Sequence, residues 1–441
     1  MKPINVGLLG IGTVGGGTWD VLNRNADEIR RRAGRAIRIS VVADKAVERA
    51  RKIVGKKARV VDDAFSVVRG NEVEIVVELI GGYTIAKELV LEAIRHGNEI
   101  FAAAHAKGVM VAFEGAVAGG IPIIKALREG LTANRIEWIA GIINGTSNFI
   151  LSEMRAKGSS FAMVLAEAQA RGYAEADPTF DITGVDAAHK ATIVSAIAFG
   201  VPVQFAKAYV EGIVDLQAAD IAYAEQLGYR IKLLAITKRR HAGRSDGVPM
   251  TAEGSGAAAA GIELRVHPTL VPSRRLIANV EGAMNAVMVQ GDAVGTTLYY
   301  GKGAGAEPTA SAVIADLVDI ARLATADPDH RVPHLAFQPA AMQDLAVLPI
   351  DDVVTAFYLR LQVADETGVL ARITGILAEH GISIDALLQR PNAAGVGEAR
   401  TDVIILTHDT VEGRMTAAIA KMQALPTVLA KIVRIRKEDL A

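Results

Sequence analysis

The most constraining feature of this chain lies at its start. A near-continuous apolar run, Ile4–Leu9, passes directly into Gly10-Ile11-Gly12-Thr13-Val14-Gly15, and a helical stretch follows from about Gly17 to Arg32. A short apolar run of this kind reads as a strand buried on both faces, as in a parallel sheet. A GxGxxG between such a strand and a helix has a specific use. Its glycines permit a tight turn and let backbone N–H groups approach a pyrophosphate at the helix N-terminus. Gly10, Gly12, Thr13, Val14 and Gly15 are therefore the candidate dinucleotide contacts. A second strand, Ile37–Ala43, ends at Asp44-Lys45. An acid here suits the ribose 2′-hydroxyl of NAD and the neighbouring lysine suits the 2′-phosphate of NADP, so both nucleotides stay open. The alternation continues through Arg59–Val61, a helical Asp63–Arg69, a buried strand Val73–Ile80 ending at Gly81-Gly82, and a helix Thr84–His96. The expected fold class is α/β, a Rossmann-type doubly wound domain at the N-terminus.

With 441 residues, two or three domains are expected. A formal net charge of −1 gives no electrostatic case for nucleic acid or an anionic membrane as partner. The sequence has no cysteine, which excludes disulfides, thiolate catalysis and Cys-ligated metals. Apolar runs such as Ala116–Ile124 are too short and too broken by Gly and Pro to span a bilayer. The N-terminus lacks a signal-peptide layout, so a cytoplasmic enzyme is the expected class.

The chemistry concentrates in Gly172–Lys190, which holds Glu175, Asp177, Asp181, Asp186, His189 and Lys190 just before the apolar Ile193–Ala198. If a helix begins near Val185, Asp186 and Lys190 lie four apart on one face and keep each other ionised. The bland alternative is an exposed capping loop with a surface ion pair. The sharper one is a polar pocket, with carboxylates for an ammonium group and a lysine able to pass a proton to a reacting oxygen. This stretch closely resembles the substrate-binding signature of homoserine dehydrogenases, and the resemblance extends over nearly the whole chain. It implies reversible hydride transfer with NADP or NAD, interconverting L-aspartate 4-semialdehyde and L-homoserine. Lys190 would be the catalytic proton donor and acceptor, and Glu175, Asp181 and Asp186 would bind substrate. It also sets Asn144-Gly145-Thr146-Ser147-Asn148-Phe149, by itself a turn and N-cap cluster before a helix Phe149–Lys157, against the active site. The Gly-rich Gly301–Ser311, opening a helix Ala312–Thr325, would return to the nucleotide domain with Gly305 near the nicotinamide and Gly81 also on the cofactor. A monovalent cation such as sodium would be held at Glu114, Val117, Gly119 and Ile121, with a plain Gly-rich helix start as the competing reading.

One departure from the family stands out. Its members carry, after the helix ending near His96, a strand closing in Ala-Asn-Lys. Here Arg95-His96-Gly97 runs straight into Asn98–Gly108, which resembles the following helix. Lys107-Gly108 reads as a helix C-terminus rather than a replacement lysine, and His105 as a surface residue. Either Glu99–Ala103 takes the place of the lost strand, or an edge is exposed. The departure motivates an alternative function, a catalytically impaired homologue that senses nucleotide and amino acid.

Further on, the pattern predicts strands Val109–Phe113, Arg135–Ile143, Glu263–Val266 and Asn285–Gln290, a helix Ala219–Ala235 and a loop His241–Gly261. Asp327–Leu348 reads as a linker. Thr355–Val363, Gly368–Glu379, Ile382–Leu388, Thr401–Thr407, Val411–Ala424 and Val428–Ile435 then give β-α-β-β-α-β, a ferredoxin-like order. With Asp365-Glu366-Thr367-Gly368 at the first turn, this resembles an ACT domain, which implies an amino-acid effector, threonine in this family, contacted by Asp365 and Gly368. A purely structural dimerisation module competes with that reading. The expected layout is a nucleotide domain over 1–120 completed by a helix at about 303–325, a substrate domain over 121–302, a linker over 326–352 and a regulatory domain over 353–437. The family implies a homodimer or homotetramer.

Overall fold

The computed structural model describes residues 2–81, 85–94, 100–240, 260–323, 326–327, 331–389 and 400–440. The chain divides into two compact units, 1–133 with 301–342, and 134–300 with 343–441.

In the first unit, β1 (Ile4–Leu9) leads through the glycine turn into α1 (Thr13–Arg24). The single long helix expected here is two. Asn25 closes α1, its N–H bonded to the Val21 carbonyl, and α2 (Ala26–Ala33) restarts after it. Asparagine favours such cap positions because its side chain competes with helical bonding. Next come β2 (Ile37–Ala43), α3 (Val47–Val54), β3 (Arg59–Val61), α4 (Ala64–Arg69), β4 (Ile75–Glu78), α5 (Ile85–Ile94) and α6 (Ile100–Lys107). The sheet is parallel, in the order β3-β2-β1-β4. Among the described residues nothing extends it beyond β4. Phe101–Ala103 lie in helix α6, so they do not replace the lost strand, while Glu99 lies outside the described residues. Lys107 is the exposed last residue of that helix, and Gly108 follows with φ +62°.

The strand expected at Val109–Phe113 does not form. The segment runs irregularly along a cavity of about 650 Å³ lined by Phe101, Val111, Leu323, His334 and Met342 among others. Without a neighbouring strand its backbone groups bond to side chains. The Val111 N–H donates to His334 Nε2 at 3.1 Å, and Arg331 donates to the Gly108 carbonyl at 2.9 Å. A one-turn helix α7 (Ile123–Lys125) then leads to the boundary of the unit.

The second unit begins with β5 (Ile136–Ile142), α8 (Gly145–Lys157), α9 (Phe161–Ala170), α10 (Thr179–Ile182), α11 (Val185–Phe199), β6 (Tyr209–Val210) and α12 (Ala218–Gln226). The helix expected to reach Ala235 stops at Gln226. Gly228, at φ +82°, turns the chain into β7 (Tyr229–Arg240), a run of β-branched, aromatic and long residues. The long strands β8 (Gly261–Pro272), β9 (Met284–Gly291) and β10 (Gly295–Lys302) follow; of the loop predicted over 241–261, residues 241–259 lie outside the described residues and Gly261 opens β8. All twelve residues of β8 are buried, because β7 pairs along one side and a C-terminal strand meets the other. The return helix α13 (Ala306–Leu323) belongs to the first unit and packs on its core, with Ile314 and Leu317 among Ile4, Leu8 and Trp19.

The C-terminal module has β11 (Val354–Ala364), α14 (Val369–Glu379), β12 (Ile384–Gln389), β13 (Arg400–Thr407), β14 (Thr410–Val411), α15 (Glu412–Gln423) and β15 (Val433–Lys437). Its strand order is β15-β11-β13-β12, and Phe357, Leu361, Ile373, Val403 and Met415 share its core. β15 also pairs in parallel with β8, Arg436 opposite Thr269 and Lys437 opposite Leu270. The module therefore continues the larger sheet, which reaches 11 strands. The segment read as a linker is pinned there: Gln343 N–H bonds the Gly200 carbonyl, and Ala346 and Leu348 bond Ile262. Among the described residues no helix is long and apolar enough to cross a membrane.

Candidate active site

Two turns and two helix starts build the charged cluster. β5 runs out at Ile143-Asn144, and Asn144 caps α8 by accepting the Ser147 N–H at 2.8 Å. Its amide nitrogen faces the other way and donates to both Asp181 Oδ1 at 2.7 Å and Asp186 Oδ2 at 2.8 Å. The second turn is Ile182-Thr183-Gly184, where Gly184 at φ +84° launches α11. The expected i,i+4 pair is present: Lys190 Nζ donates to Asp186 Oδ2 at 2.7 Å and to the Ile143 carbonyl at 3.2 Å. The Asp186 and Lys190 side chains keep about a fifth of their surface, 20% and 23%. One amide, two carboxylates and one ammonium thus share a partly exposed site.

Glu175 stands apart. It lies on the exposed approach loop, tethered through Thr146 Oγ1 to the Tyr173 carbonyl at 2.8 Å and by stacking of Tyr173 on Phe149. Among the described residues no hydrogen bond or ion pair joins the Glu175 carboxylate to Asp186 or Lys190. His189, beside Lys190 on α11, stacks on Phe205 at 3.8 Å, and burial lowers its basicity despite the Asp186 charge. Asn144 is the residue the sequence reading understated. Its capping role was legible, but its grip on two distant carboxylates was not.

In the first unit the glycine turn has the shape a pyrophosphate needs. A Cβ on Gly15 would overlap the Gly10 carbonyl oxygen, and one on Gly10 would stand 2.9 Å from the Leu79 oxygen. At Gly12 a Cβ would meet nothing within 4 Å, so the side of the turn that a phosphate would approach is open. No side chain caps α1, which leaves its first N–H groups to a ligand. Asp44 Oδ2 accepts the Ile11 N–H at 2.8 Å, its Oδ1 accepts that of Ala46, and Arg49 donates to the Ile11 carbonyl at 3.0 Å. At the end of β4, Glu78 holds the turn into Gly81 by accepting the Ile80 and Gly81 N–H groups. Gly305, at φ +123°, precedes α13, and the neighbouring Ala306 backbone touches α1 so closely at Gly17 that a Cβ there would stand 2.5 Å from its oxygen.

The sequence matches three family models: the homoserine dehydrogenase NAD-binding domain over residues 10–114, homoserine dehydrogenase over 122–318, and the ACT domain over 357–426. A homoserine dehydrogenase of Pseudomonas aeruginosa is 55% identical, with the whole of both chains aligned. That of Neisseria gonorrhoeae is 56% identical with the same coverage. The chain belongs to the homoserine dehydrogenase family. It is thus an oxidoreductase with an NAD(P)-binding Rossmann-type domain, a catalytic domain and a C-terminal ACT domain. The crystal structure of a homoserine dehydrogenase from Thiobacillus denitrificans matches with a TM-score of 0.90 at 60% identity, covering 100% of this chain and 99% of that one.

The alignment with the Pseudomonas homoserine dehydrogenase runs over 455 residues, 14 more than the 441 of this chain. Positions of that relative therefore have no counterpart here. Glu114 is buried and accepts the Ile124 and Lys125 N–H groups at 3.0 and 2.8 Å. Burial, with the charge of Asp316, pushes its carboxyl up to about 7. Val117, Gly119 and Ile121 follow in a buried turn with Ala118 at φ +53° and Gly119 at +37°. In the ACT domain, Asp365 is exposed and Gly368, at φ +84°, starts α14.

Proposed function

We propose that the chain interconverts L-aspartate 4-semialdehyde and L-homoserine by hydride transfer with nicotinamide C4, with Lys190 moving the proton. The observation that carries this reading is the Asn144 amide joined to both Asp181 and Asp186, with Lys190 on Asp186 at 2.7 Å. Paired in this way, Lys190 holds a proton to give to the alkoxide formed when hydride reaches the aldehyde carbon. In reverse it takes that proton from the hydroxyl. Asp186 accepts from the substrate ammonium, Asp181 keeps Asn144 and the turn in place, and Glu175 closes on the ammonium from the approach loop. Gly10, Gly12, Thr13, Val14 and Gly15 receive the pyrophosphate, and Gly81 and Gly305 flank the rest of the nucleotide. The bound nicotinamide supplies or accepts the hydride.

Asp44 spends both oxygens on backbone N–H groups, and Arg49 stands beside the same turn, which favours NADP over NAD. A sodium ion at Glu114, Val117, Gly119 and Ile121 fits a buried carboxylate whose charged form is otherwise opposed by burial. Threonine acts as effector at Asp365 and Gly368, and the active enzyme is a homodimer or homotetramer in the cytoplasm, on the path to threonine, methionine and isoleucine. The impaired-sensor alternative is not favoured, since full-length relatives carry the dehydrogenase name.

The test is steady-state oxidation of L-homoserine with NADP and NAD separately. Turnover abolished by Lys190→Ala and kept by Lys107→Ala supports the reading. Turnover unaffected by Lys190→Ala refutes it, and no turnover with either nucleotide in a folded protein revives the sensor.

A further inference from the structure

We propose that Arg436, in the last strand of the ACT domain, is a positioning residue for the substrate-side helix α11 and acts on it through Glu211. The inference rests on the assignment of Asp186 and Lys190 made above. Arg436 is fully buried on β15. Its guanidinium is planar and forked, so it can hold several acceptors at once. Nε donates to Glu412 Oε2 at 2.7 Å within the module. Nη1 crosses to the catalytic domain, to Glu211 Oε2 at 2.8 Å, and Nη2 donates both to Glu412 Oε1 and, across the domains, to the Tyr209 hydroxyl at 2.9 Å. The Tyr209 hydroxyl in turn donates to the same Glu211 oxygen at 2.8 Å.

Glu211 precedes Gly212, which packs on the turn that starts α11. Its own N–H is fixed to the Val266 carbonyl at 2.8 Å, and Ile213 N–H bonds the Ile182 carbonyl at 2.9 Å. Between them Gly212 lies backbone against backbone on the turn, so close that a Cβ there would overlap the Ile182 oxygen. On the opposite side, a Cβ at Gly184 would stand 3.3 Å from the Glu211 carbonyl. The strip Glu211–Ile213 therefore clasps Ile182–Gly184, with Asp181 just before that turn and Asp186 two residues after it. Asn144 holds these carboxylates from one side, and the Arg436–Glu211 clasp sets the turn from the other. A shift of Glu211 must move the turn, since no slack separates the two backbones.

A second contact between the same domains serves as the control. Arg360 on β11 donates to Asp220 on α12 at 2.6 Å, and both are buried. α12 packs on β7 and α8 rather than on the Ile182–Gly184 turn. Loss of this pair loosens the domain contact without touching the clasp.

The experiment is steady-state oxidation of L-homoserine, with thermal midpoints, for the full-length wild type, Glu211→Gln, Arg436→Lys, Arg360→Lys and Lys190→Ala. Glu211→Gln is expected to raise KM for L-homoserine roughly 2- to 30-fold, the range of coupling through packed networks. KM for the nucleotide stays unchanged, and Arg436→Lys shifts KM the same way. Arg360→Lys lowers the thermal midpoint and leaves KM alone. An unchanged homoserine KM in folded Glu211→Gln overturns the proposal, as does an equal KM shift in Arg360→Lys. Should Arg436→Lys not fold, Glu211→Gln decides alone, its side chain being 35% exposed. Full turnover in Lys190→Ala would instead overturn the site assignment itself, which keeps the two failures distinct.

Discussion

Two charge clusters sit on the same 11-stranded sheet and are built on opposite terms. Around Lys190 the ions are few and partly exposed, and a neutral amide, Asn144, joins the two carboxylates. Around β8 and β15 the ions are many, and both guanidinium groups are dry. Arg265, 2% exposed, bonds Glu263 and Glu438, and Arg436, 0% exposed, bonds Glu412 and Glu211. His267 touches the Arg265 guanidinium at 2.7 Å, and burial together with the charges of Arg436 and Arg265 drives its basicity well below the usual range. A buried ion must keep its partner, because the alternative is a bare charge in a low dielectric. A half-exposed one can exchange its partner for a substrate at small cost. The first arrangement is suited to locking two domains in register, the second to turnover.

The largest expected effect breaks the comparison at the open cluster. Lys190→Ala should lower kcat by about 10²- to 10⁴-fold while the thermal midpoint barely moves. Both are read from steady-state rates and a melting curve. At the dry cluster the reverse is expected. Arg436→Met takes from buried Glu412 the closer of its two arginine partners, leaving it with Arg434 at 3.1 Å, and should cost up to about 3–5 kcal/mol of stability, whereas the double variant Arg436→Met with Glu412→Leu should recover part of it. Denaturant melts of the two variants check this, and equal losses in both would show that packing rather than charge dominates.

Between these extremes lies Asn144→Ala. It removes the cap bond to Ser147 and both carboxylate bonds, so about 1–3 kcal/mol of stability should go together with a higher KM for L-homoserine. A loss of stability alone would make Asn144 a cap and nothing more. The smallest effect concerns Lys232. It is 2% exposed and bonded to the Val280 carbonyl and Asn148, and burial pushes its ammonium down to about 8 from an ordinary 10.5. Between those values the folded chain binds fewer protons than the unfolded one, so stability rises with pH by roughly 1 kcal/mol per unit. That rise should be absent from Lys232→Met when melts at pH 8 and pH 9 are compared.

Local rules made much of this legible in the residues alone. The strand, glycine turn and helix at Ile4–Arg24 follow from apolar continuity and the backbone freedom of glycine. The Asp186–Lys190 pair follows from helical spacing. The β-α-β-β-α-β order of the C-terminal module follows from period and punctuation. Val109–Phe113 has strand composition and yet stays irregular, because a strand needs a neighbour to bond.

Long-range pairing was decided only by the tertiary structure. The sequence marked Glu263–Val266 as a short strand, since Glu263, Arg265 and His267 interrupt the apolar pattern. The folded chain buries all twelve residues from Gly261 to Pro272, because β15, more than 160 positions later, brings Arg436 and Glu438 beside them. Likewise Asn144 reads locally as a helix cap, and only the approach of Asp181 and Asp186 gives its amide nitrogen two further partners. Composition and periodicity record what each segment can do with its own neighbours. Which distant charge neutralises a buried one depends on the meeting of strands far apart in the chain, and no local pattern carries that information.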